Sequence, residues 1–357
     1  YGYLSWETSS FANVACFVPL PRKIMHFISN MHSLKVLRFM RFARNCSRST
    51  HKATPLELHA SRTAEVIDGK SIAREIEGEI RSAIDEIFTG GGRRPHLTAV
   101  LVGDNEGSSV YVKNKIKAAK RTGIAADCIH LPSSTTQTVL LDIVQRLNDS
   151  DSVDGILVQL PLPSHIEESV ICNAVLPSKD VDGFHALQMG RLCLNMASLA
   201  PCTPLAIVEI LQRIGMSTYG KHVLVCGRST IVGLPLSIML GSSRDYGNAT
   251  VSTCHSRSRP SDLKALAQMA DIVITATGVP GLITADMIKD GACVIDVGIT
   301  RVLDEASGKT RLVGDVDFTG VSRKASFITP VPGGVGPVTV AMLMRNTFLA
   351  YSKAINY

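Results

Sequence analysis

The sequence predicts an α/β protein in which an N-terminal leader is followed by two three-layer domains. Three observations indicate this: the chain of 357 residues is long enough for two domains, helical and strand patterns alternate, and the alternation starts again after Pro201. Its 45% hydrophobic and 19% charged residues are typical of a globular protein. No stretch approaches the roughly 18 unbroken apolar residues of a membrane span, so no membrane partner is expected.

The leader, residues 1–60, carries the basic excess of the chain. It holds eight Lys or Arg against two Glu, an excess of +6 that equals the net charge of the whole protein. The remainder therefore gives no reason to expect a nucleic-acid partner. Because Arg38, Arg41 and Arg44 recur at helical spacing in an acid-poor stretch, we predict a transit peptide and a mitochondrial matrix location. A disordered basic tail or mistranslated upstream sequence is the alternative, and a cytoplasmic location stays open.

The nine cysteines are scattered and contain no Cys-x-x-Cys pair. This pattern indicates buried free thiols in a reducing compartment, and it predicts neither a disulfide framework nor a zinc site.

The first half alternates helix and strand, which predicts a mainly parallel sheet. Isoleucines recur at helical spacing from Ile72 to Ile87 before three consecutive glycines end the helix. The predicted helices span 71–88, 109–122 and 137–148, and the strands span 97–102, 126–131 and 155–160.

The second half predicts a doubly wound parallel sheet of the Rossmann type. Its helices are expected over 204–214, 234–240 and 338–351, and its strands over 222–225, 250–254, 272–276 and 293–297. A loop over 330–337 precedes the last helix.

A glycine turn follows the strand at 222–225. Gly227 allows a tight turn and Gly233 allows close packing of the next helix, whose first N–H groups can hold a pyrophosphate. Ser229 stands where the usual G-x-G-x-x-G pattern has its middle glycine. On the motif alone, a turn without a ligand is nearly as good an interpretation.

Other strand ends strengthen the nucleotide interpretation. The small residues in 276–278 and 296–299 leave room for a cofactor over the sheet edge. The strand at 250–254 is followed by His255, Ser256 and Arg257, where NAD enzymes usually have an acidic residue. Together with Arg228, this environment suits a 2′-phosphate, although Arg257 alone could be a solvated charge.

Polar residues in the first half suggest a site for proton transfer. Tyr111 and Lys115 lie at i and i+4 on one helical face, where lysine can act as a general acid or base. The pattern alone is weak because it is common. Gln159 lies among apolar residues and must bond to something: backbone in the structural interpretation, a substrate or Lys115 in the functional one. Asp182 lies in a loop, where turn chemistry is the default explanation.

Together these motifs resemble the bifunctional methylenetetrahydrofolate dehydrogenase/cyclohydrolase family, most closely its mitochondrial animal branch. The resemblance covers about residues 64–352. It is carried by Tyr-Val-x-x-Lys at 111–115, Asp-Gly-Ile-Leu-Val-Gln-Leu-Pro-Leu-Pro at 154–163, Lys-Asp-Val-Asp-Gly at 179–183, Pro-Cys-Thr-Pro at 201–204, Gly-Arg-Ser at 227–229 and Thr-Pro-Val-Pro-Gly-Gly-Val-Gly-Pro at 329–337.

The resemblance implies two activities, NAD(P)-linked oxidation of methylenetetrahydrofolate and hydrolysis of the methenyl product, at a cleft between the domains. Lys115 would be the cyclohydrolase acid/base, supported by Tyr111 and Gln159, and Asp182 would anchor the pterin ring. The implied folate contacts are Ser108, Tyr111, Lys115, Val158, Gln159, Leu160, Asp182, Pro332, Gly333, Gly334, Val335 and Gly336. The implied cofactor contacts are Gly227, Arg228, Ser229, Ser256 and Ile299.

The resemblance also implies a homodimer with a folate-binding domain (61–203 plus 334–357) and a nucleotide-binding domain (204–333). Asn248 and Ser256 stand where NAD-preferring mitochondrial relatives hold phosphate and Mg²⁺, so the expected cofactor is NADP, and NAD with phosphate and Mg²⁺ is the alternative. A binding protein that has lost catalysis would be expected to lack Lys115 or Gln159, and a dehydrogenase without cyclohydrolase activity to lack Lys115; both residues are present.

Overall fold

The computed structural model describes residues 63–304 and 308–357. The predicted leader therefore lies outside the described residues. Within the described part, no helix is both long and apolar enough to cross a membrane. In chain order the elements are β1 (Glu65–Val66), α1 (Gly69–Thr89), β2 (His96–Val102), α2 (Glu106–Thr122), β3 (Ala125–Leu131), α3 (Gln137–Asp149), β4 (Gly155–Val158), α4 (Glu168–Ala174), α5 (Ala186–Cys193), α6 (Cys202–Arg213), β5 (His222–Cys226), α7 (Gly233–Gly241), β6 (Thr250–Cys254), α8 (Pro260–Met269), β7 (Ile272–Thr275), β8 (Cys293–Asp296), β9 (Thr300–Asp304), β10 (Lys309–Val313), α9 (Phe318–Val321), β11 (Phe327–Ile328) and α10 (Val335–Tyr351).

The first half forms a parallel three-stranded sheet in the order β3-β2-β4. The central strand β2 is buried along almost its whole length, as expected for a strand covered on both faces. Local chemistry sets the helix ends: the side chain of Asp68 accepts from two N–H groups at the start of α1, and Gly123 ends α2 in the left-handed conformation.

The second half forms a parallel six-stranded sheet in the order β1-β11-β8-β7-β5-β6. The four predicted strands are its core, and the predicted α/β class with a doubly wound second sheet is confirmed. Their apolar residues pack with α8 in one cluster that includes Leu224, Val273, Val294 and Ala267. The carboxyl ends of β5, β6 and β7 meet at one edge, where this architecture binds ligands.

Several predicted boundaries were wrong by two or three residues; helix α2, for example, begins at Glu106 and had been predicted from residue 109. The last helix begins at Val335, three residues earlier than predicted, so Val335 and Gly336 belong to the helix. The glycines of the motif suggested a loop, but helix packing overrides their low propensity. Strand β4 ends at Val158, although the N–H of Gln159 still donates to the carbonyl of Val100 at 2.9 Å.

Several elements had not been predicted. They are the short strands β1 and β11, the ten-residue helix α8, the short helices α4, α5 and α9, and the antiparallel hairpin β9–β10. Strand β1 comes from the start of the described chain yet pairs with β11 in the second sheet. Helix α10 packs against α1, α2 and α6. The chain therefore passes between its two halves near both ends of the described region.

Candidate functional site

A cavity of about 290 Å³ lies at the carboxyl ends of β5, β6 and β7. Its lining residues lie at the ends of these strands, in the loops that follow them, or on α8. They are Cys226, Gly227, Arg228, Cys254, His255, Ser256, Ser258, Leu263, Ala276, Thr277, Val279 and Leu282. The strand-end position, the mixture of apolar and hydroxyl-bearing walls and the cationic Arg228 suit a dinucleotide.

The two glycines of the turn are required by close backbone contacts. Gly227 has φ of +119°, and a Cβ there would lie 2.5 Å from the carbonyl oxygen of Ala276. A Cβ at Gly233 would overlap the carbonyl of Gly227. Helix α7 therefore starts hard against the turn, without a side-chain cap on its first N–H groups. The N–H of Leu234 donates to the carbonyl of Ser229 at 3.0 Å and residue 235 is a proline, so it is the close backbone approach at Gly227 and Gly233 that fits a pyrophosphate.

The predicted cofactor residues divide into two groups. Gly227, Arg228 and Ser256 line the cavity. Ser229 does not line it; its Oγ accepts from the N–H of Val232 at 3.2 Å and holds the turn. Ile299, 43% exposed, stands beside the start of β9 and outside this lining.

Sequence reasoning missed several lining residues, among them Ser258 and Leu282, and it noted Thr277 only as part of the small-residue stretch 276–278. The Oγ of Ser258 accepts from the N–H of His255 at 3.0 Å, which folds residues 255–258 into a turn. A serine four residues after a strand end was the available signal, but a turn serine is too common to be informative by itself.

The second group of functional side chains centres on Lys115. Its Nζ donates to Oε1 of Gln159 at 3.0 Å, and Nε2 of Gln159 donates to the carbonyl of Leu160 at 2.6 Å. Helix α2 carries the lysine and the end of β4 carries the glutamine, so two elements fix the pair. The predicted contact between Lys115 and Gln159 is therefore present.

Tyr111 lies one turn before Lys115 on α2 and is 44% exposed. Among the described residues, no hydrogen bond joins Tyr111 to Lys115. Its supporting role therefore stays a prediction. Ser108, by contrast, is buried in the first turn of α2, where its N–H donates to Oδ1 of Asn105 at 3.0 Å.

Asp182 is close enough to Lys115 for the charge of the lysine to affect the pKa of the Asp182 carboxyl. Burial raises the pKa of the Asp182 carboxyl, and the charge of Lys115 lowers it by less. Asp182 and Val158 line a small cavity with Cys172 and Phe184. A carboxyl with a raised pKa beside a lysine is typical of functional sites, although buried structural groups show such shifts as well.

Asp180 is buried in the same loop and serves the backbone. Its carboxylate accepts from the N–H groups of Gly183 at 3.1 Å and His185 at 2.9 Å. Burial raises its pKa to about 7, against the lowering effect of the His185 hydrogen bond. The default turn chemistry therefore belongs to Asp180, which leaves Asp182 free for another role.

The loop before α10 is held against the start of α1. Gly333 has φ of +110°, and a Cβ at Gly69 would overlap the carbonyl oxygen of Gly334. Pro332 is exposed, whereas Gly334 and Val335 are buried. The residues of the described part form no cluster of three or more His, Cys, Asp or Glu suited to a metal ion. Their seven cysteines are free thiols, but the prediction that these thiols are buried was wrong for Cys128 and Cys193, which are exposed.

Comparison with known proteins identifies both halves. Residues 67–182 match the family model of the tetrahydrofolate dehydrogenase/cyclohydrolase catalytic domain, and residues 201–355 match that of its NAD(P)-binding domain. A chicken (Gallus gallus) relative, a bifunctional methylenetetrahydrofolate dehydrogenase/cyclohydrolase of mitochondria, is 53% identical over 305 residues, which cover 84% of this chain and 90% of the relative.

Solved structures agree with the family models. A silkworm (Bombyx mori) 5,10-methylenetetrahydrofolate dehydrogenase is similar with a TM-score of 0.76 and 48% identity, over 82% of this chain and 99% of that one. A Trypanosoma brucei dehydrogenase-cyclohydrolase solved with NADP and an inhibitor has a TM-score of 0.77 and 38% identity, over 83% of this chain and 100% of that one. The chain belongs to the tetrahydrofolate dehydrogenase/cyclohydrolase family, and its resemblance to the animal mitochondrial branch is confirmed.

Proposed function

We propose that this protein oxidises 5,10-methylenetetrahydrofolate to the 5,10-methenyl form with a nicotinamide dinucleotide and hydrolyses the product to 10-formyltetrahydrofolate. The observation that carries this proposal is the Lys115–Gln159 hydrogen bond beside Asp182 in a chain whose second half has a dinucleotide cavity. The two alternatives, a dehydrogenase without cyclohydrolase activity and a non-catalytic binding protein, are less well supported because Lys115 is present and its Nζ is hydrogen-bonded to Gln159.

In the dehydrogenase step, the dinucleotide supplies a hydride acceptor when it is bound. The chain's own residues bind and orient the dinucleotide and the folate. Gly227 and the start of α7 hold the pyrophosphate, and Asp182 anchors the pterin ring. Its raised pKa supports a hydrogen-bonding role toward a ring with both donors and acceptors. Correct orientation supplies most of what this step needs, because the methylene bridge requires no strong base.

In the cyclohydrolase step, water adds to the methenyl carbon and loses one proton. The bond from that carbon to N5 then breaks: the remaining hydroxyl proton passes to N5, and the formyl group stays on N10. Lys115 is the proposed group that exchanges these protons, at Nζ. Gln159 accepts from Nζ and fixes its direction, because the amide is itself tied to the carbonyl of Leu160. Such positioned proton transfer typically contributes about 10²–10⁴-fold to a rate.

The remaining folate contacts are proposed from the resemblance. They are Ser108, Tyr111, Val158, Leu160, and residues 332–336 of the loop and first turn of α10. The packing of α10 against α1 and α2 supports placing residues 334–357 with the proposed folate-binding domain (61–203), next to a nucleotide-binding domain (204–333). Helix α10 also packs against α6, which this division assigns mostly to the nucleotide-binding domain. The active site would then be the cleft between the two domains.

NADP is the proposed cofactor, with NAD plus phosphate and Mg²⁺ as the alternative. Support comes from Arg228 and Ser256, which line the cavity where a 2′-phosphate would lie. Asn248 is engaged elsewhere: it has φ of 60°, and its side-chain amide donates to the carbonyl of Arg244 at 2.8 Å. This leaves no carboxylate at the position where the alternative requires one for Mg²⁺.

The proposed location is the mitochondrial matrix and the proposed assembly is a homodimer. Both rest on the resemblance, and the location also rests on the composition of residues 1–60. Light scattering of the purified protein tests the dimer, and imaging of the tagged full chain tests the location.

The experiment that tests the proposed cofactor is a steady-state assay with NAD and with NADP, each with and without phosphate and Mg²⁺. We expect NADP to support the higher kcat/KM in phosphate-free buffer. NAD activity that rises steeply with added phosphate and Mg²⁺ would overturn the NADP proposal and leave the dehydrogenase activity itself established.

A further inference from the structure

A buried carboxylate holds one wall of the dinucleotide cavity. Asp315 is fully buried. Its Oδ2 accepts from the N–H of Thr277 at 2.7 Å, from the Oγ1 of Thr277 at 2.8 Å and from the N–H of Gly278 at 3.3 Å. Thr277 lines the cavity between Ala276 and Val279, which also line it. The three hydrogen bonds therefore fix the loop after β7 where a dinucleotide would contact it.

A second buried carboxylate fixes the first. Asp296, at the end of β8, accepts through Oδ1 from the N–H of Asp315 at 3.0 Å. The same oxygen accepts from the N–H of Gly298 at 2.9 Å, and Oδ2 accepts from the N–H of Val316 at 2.9 Å. Burial raises the pKa of Asp296, an effect that these backbone hydrogen bonds partly offset.

The pair also reaches the loop before α10. The N–H of Asp296 donates to Oγ1 of Thr329 at 2.7 Å. Gly314 is packed so closely between Asp296 and Val331 that a Cβ would lie 2.8 Å from Cγ2 of Val331 and would overlap the Asp296 carboxylate. One connected set of contacts thus joins the loop at 276–279 to the loop at 329–334.

Burying these two carboxylates lowers the free energy of unfolding. The described ion pairs include neither carboxylate, and Oδ1 of Asp315 is buried without a hydrogen-bond partner. A buried, incompletely bonded carboxylate destabilises the fold. Proteins keep such groups chiefly where a site must be held in one geometry.

We propose that Asp315 is a positioning residue for hydride transfer: supported by Asp296, it holds the dinucleotide-contacting loop at 276–279 in register with the folate loop at 329–334. The inference rests on the dinucleotide and folate sites proposed above. It predicts that loss of the Asp315 carboxylate harms the dehydrogenase step, which needs both ligands aligned, and spares the hydrolysis step, which depends on Lys115.

The test compares Asp315→Ala, Asp315→Asn and wild type in both activities. For Asp315→Ala we expect the KM for the dinucleotide to rise about tenfold, equivalent to about 1.4 kcal/mol, and the dehydrogenase kcat to fall about tenfold. Hydrolysis of methenyltetrahydrofolate should stay within about twofold. Asp315→Asn keeps one acceptor oxygen and should recover part of the loss, with a KM raised about threefold.

Asp317→Ala is the matched control. It removes a nearby carboxylate that accepts from the N–H of Gly320 at 3.2 Å and does not line the cavity, so both activities should keep their ratio. Equal losses of both activities in Asp315→Ala, with no recovery in Asp315→Asn, would mean a purely structural role and overturn the proposal. An unchanged dinucleotide KM would overturn it as well.

If Asp315→Ala does not fold, Asp315→Asn decides alone: a raised dinucleotide KM with intact hydrolysis supports the proposal, and any other result contradicts it. Arg228→Ala, measured in parallel, distinguishes failure of the positioning role of Asp315 from failure of the proposed dinucleotide site. If Arg228→Ala weakens dinucleotide binding while the Asp315 variants do not, only the positioning role is wrong. If none of these variants alters dinucleotide binding, the proposed dinucleotide site itself is wrong.

Discussion

The two proposed ligand sites of this chain are built by different means. The proposed folate site presents reactive side chains: Lys115 is hydrogen-bonded to Gln159, and its charge acts on the carboxyl of Asp182. The proposed dinucleotide site depends on the shape of the backbone at Gly227 and at the start of α7. Its cationic side chain, Arg228, is exposed. A site that moves protons needs particular functional groups, whereas a site that holds a cofactor needs close approach and alignment.

The largest expected effect comes from removing the reactive side chain. Lys115→Met should lower cyclohydrolase activity by about 10³-fold or more, because no other proton-transfer group is tied to this position. It should also reduce the forward dehydrogenase rate, because the neighbouring Asp182 and Gln159 lose their partner. Hydrolysis of methenyltetrahydrofolate is followed spectroscopically, with Lys113→Met, an exposed lysine of the same helix, as the control. A Lys115→Met enzyme that hydrolyses at the wild-type rate would remove Lys115 from the mechanism.

Adding a side chain at Gly227 should act mainly on the dehydrogenase activity. In Gly227→Ala the new methyl group meets the carbonyl of Ala276 at a φ that alanine disfavours. We expect a dehydrogenase kcat/KM lower by about thirtyfold, equivalent to roughly 2 kcal/mol of strain, with hydrolysis within about threefold. Gly241→Ala is the control, because its added Cβ would make only an ordinary contact, 3.8 Å from Val251. If Gly227→Ala lowers hydrolysis as much as oxidation, the two sites do not behave as separate structures.

Arg228 should tune cofactor choice and leave the chemistry intact. Arg228→Ala removes a charge-assisted bond to a 2′-phosphate worth about 1.5–3 kcal/mol, so the apparent NADP constant should rise about tenfold or more. The NAD constant should barely change in phosphate-free buffer. Paired titrations of wild type, Arg228→Ala and Arg257→Ala measure this. Equal weakening for both dinucleotides would show that Arg228 stabilises the turn, and a larger effect in Arg257→Ala would transfer the phosphate contact to that residue.

Asp180 should affect stability and its pH dependence, with the smallest effect on turnover. Its pKa is about 7 in the folded protein, above the ordinary value of about 3.9 expected in the unfolded chain. The folded state therefore binds the extra proton, and the free energy of unfolding contributed by this group falls as pH rises between these values. From about pH 5.5 to pH 7 the fall should be about 1–2 kcal/mol.

Asp180→Asn cannot bind that proton, so its stability should change less with pH than that of the wild type. Urea unfolding at the two pH values measures the difference. Parallel pH profiles for wild type and Asp180→Asn would contradict the raised pKa.

Sequence patterns captured the strands of both sheets and the main helices because their apolar residues recur with the period of each element. They could not place β1, since two residues carry no periodicity and its partner β11 is distant in the chain. Motifs identified Lys115, Gln159 and Gly227. The connection from Asp315 to Thr277 was not predictable, because it joins loops 38 residues apart and an aspartate in a loop has turn chemistry as its default role.

The most direct test follows both products of wild-type protein in one sample. Purified enzyme receives 5,10-methylenetetrahydrofolate and NADP, and the reduced dinucleotide and 10-formyltetrahydrofolate are quantified together over time. If the chain carries both activities, one 10-formyl product should form for each NADPH, at a rate far above the uncatalysed hydrolysis of the methenyl form. NADPH formation with methenyltetrahydrofolate accumulating, hydrolysed no faster than by Lys115→Met, would contradict the cyclohydrolase activity, and absence of reduction with either NADP or NAD would contradict the dehydrogenase activity.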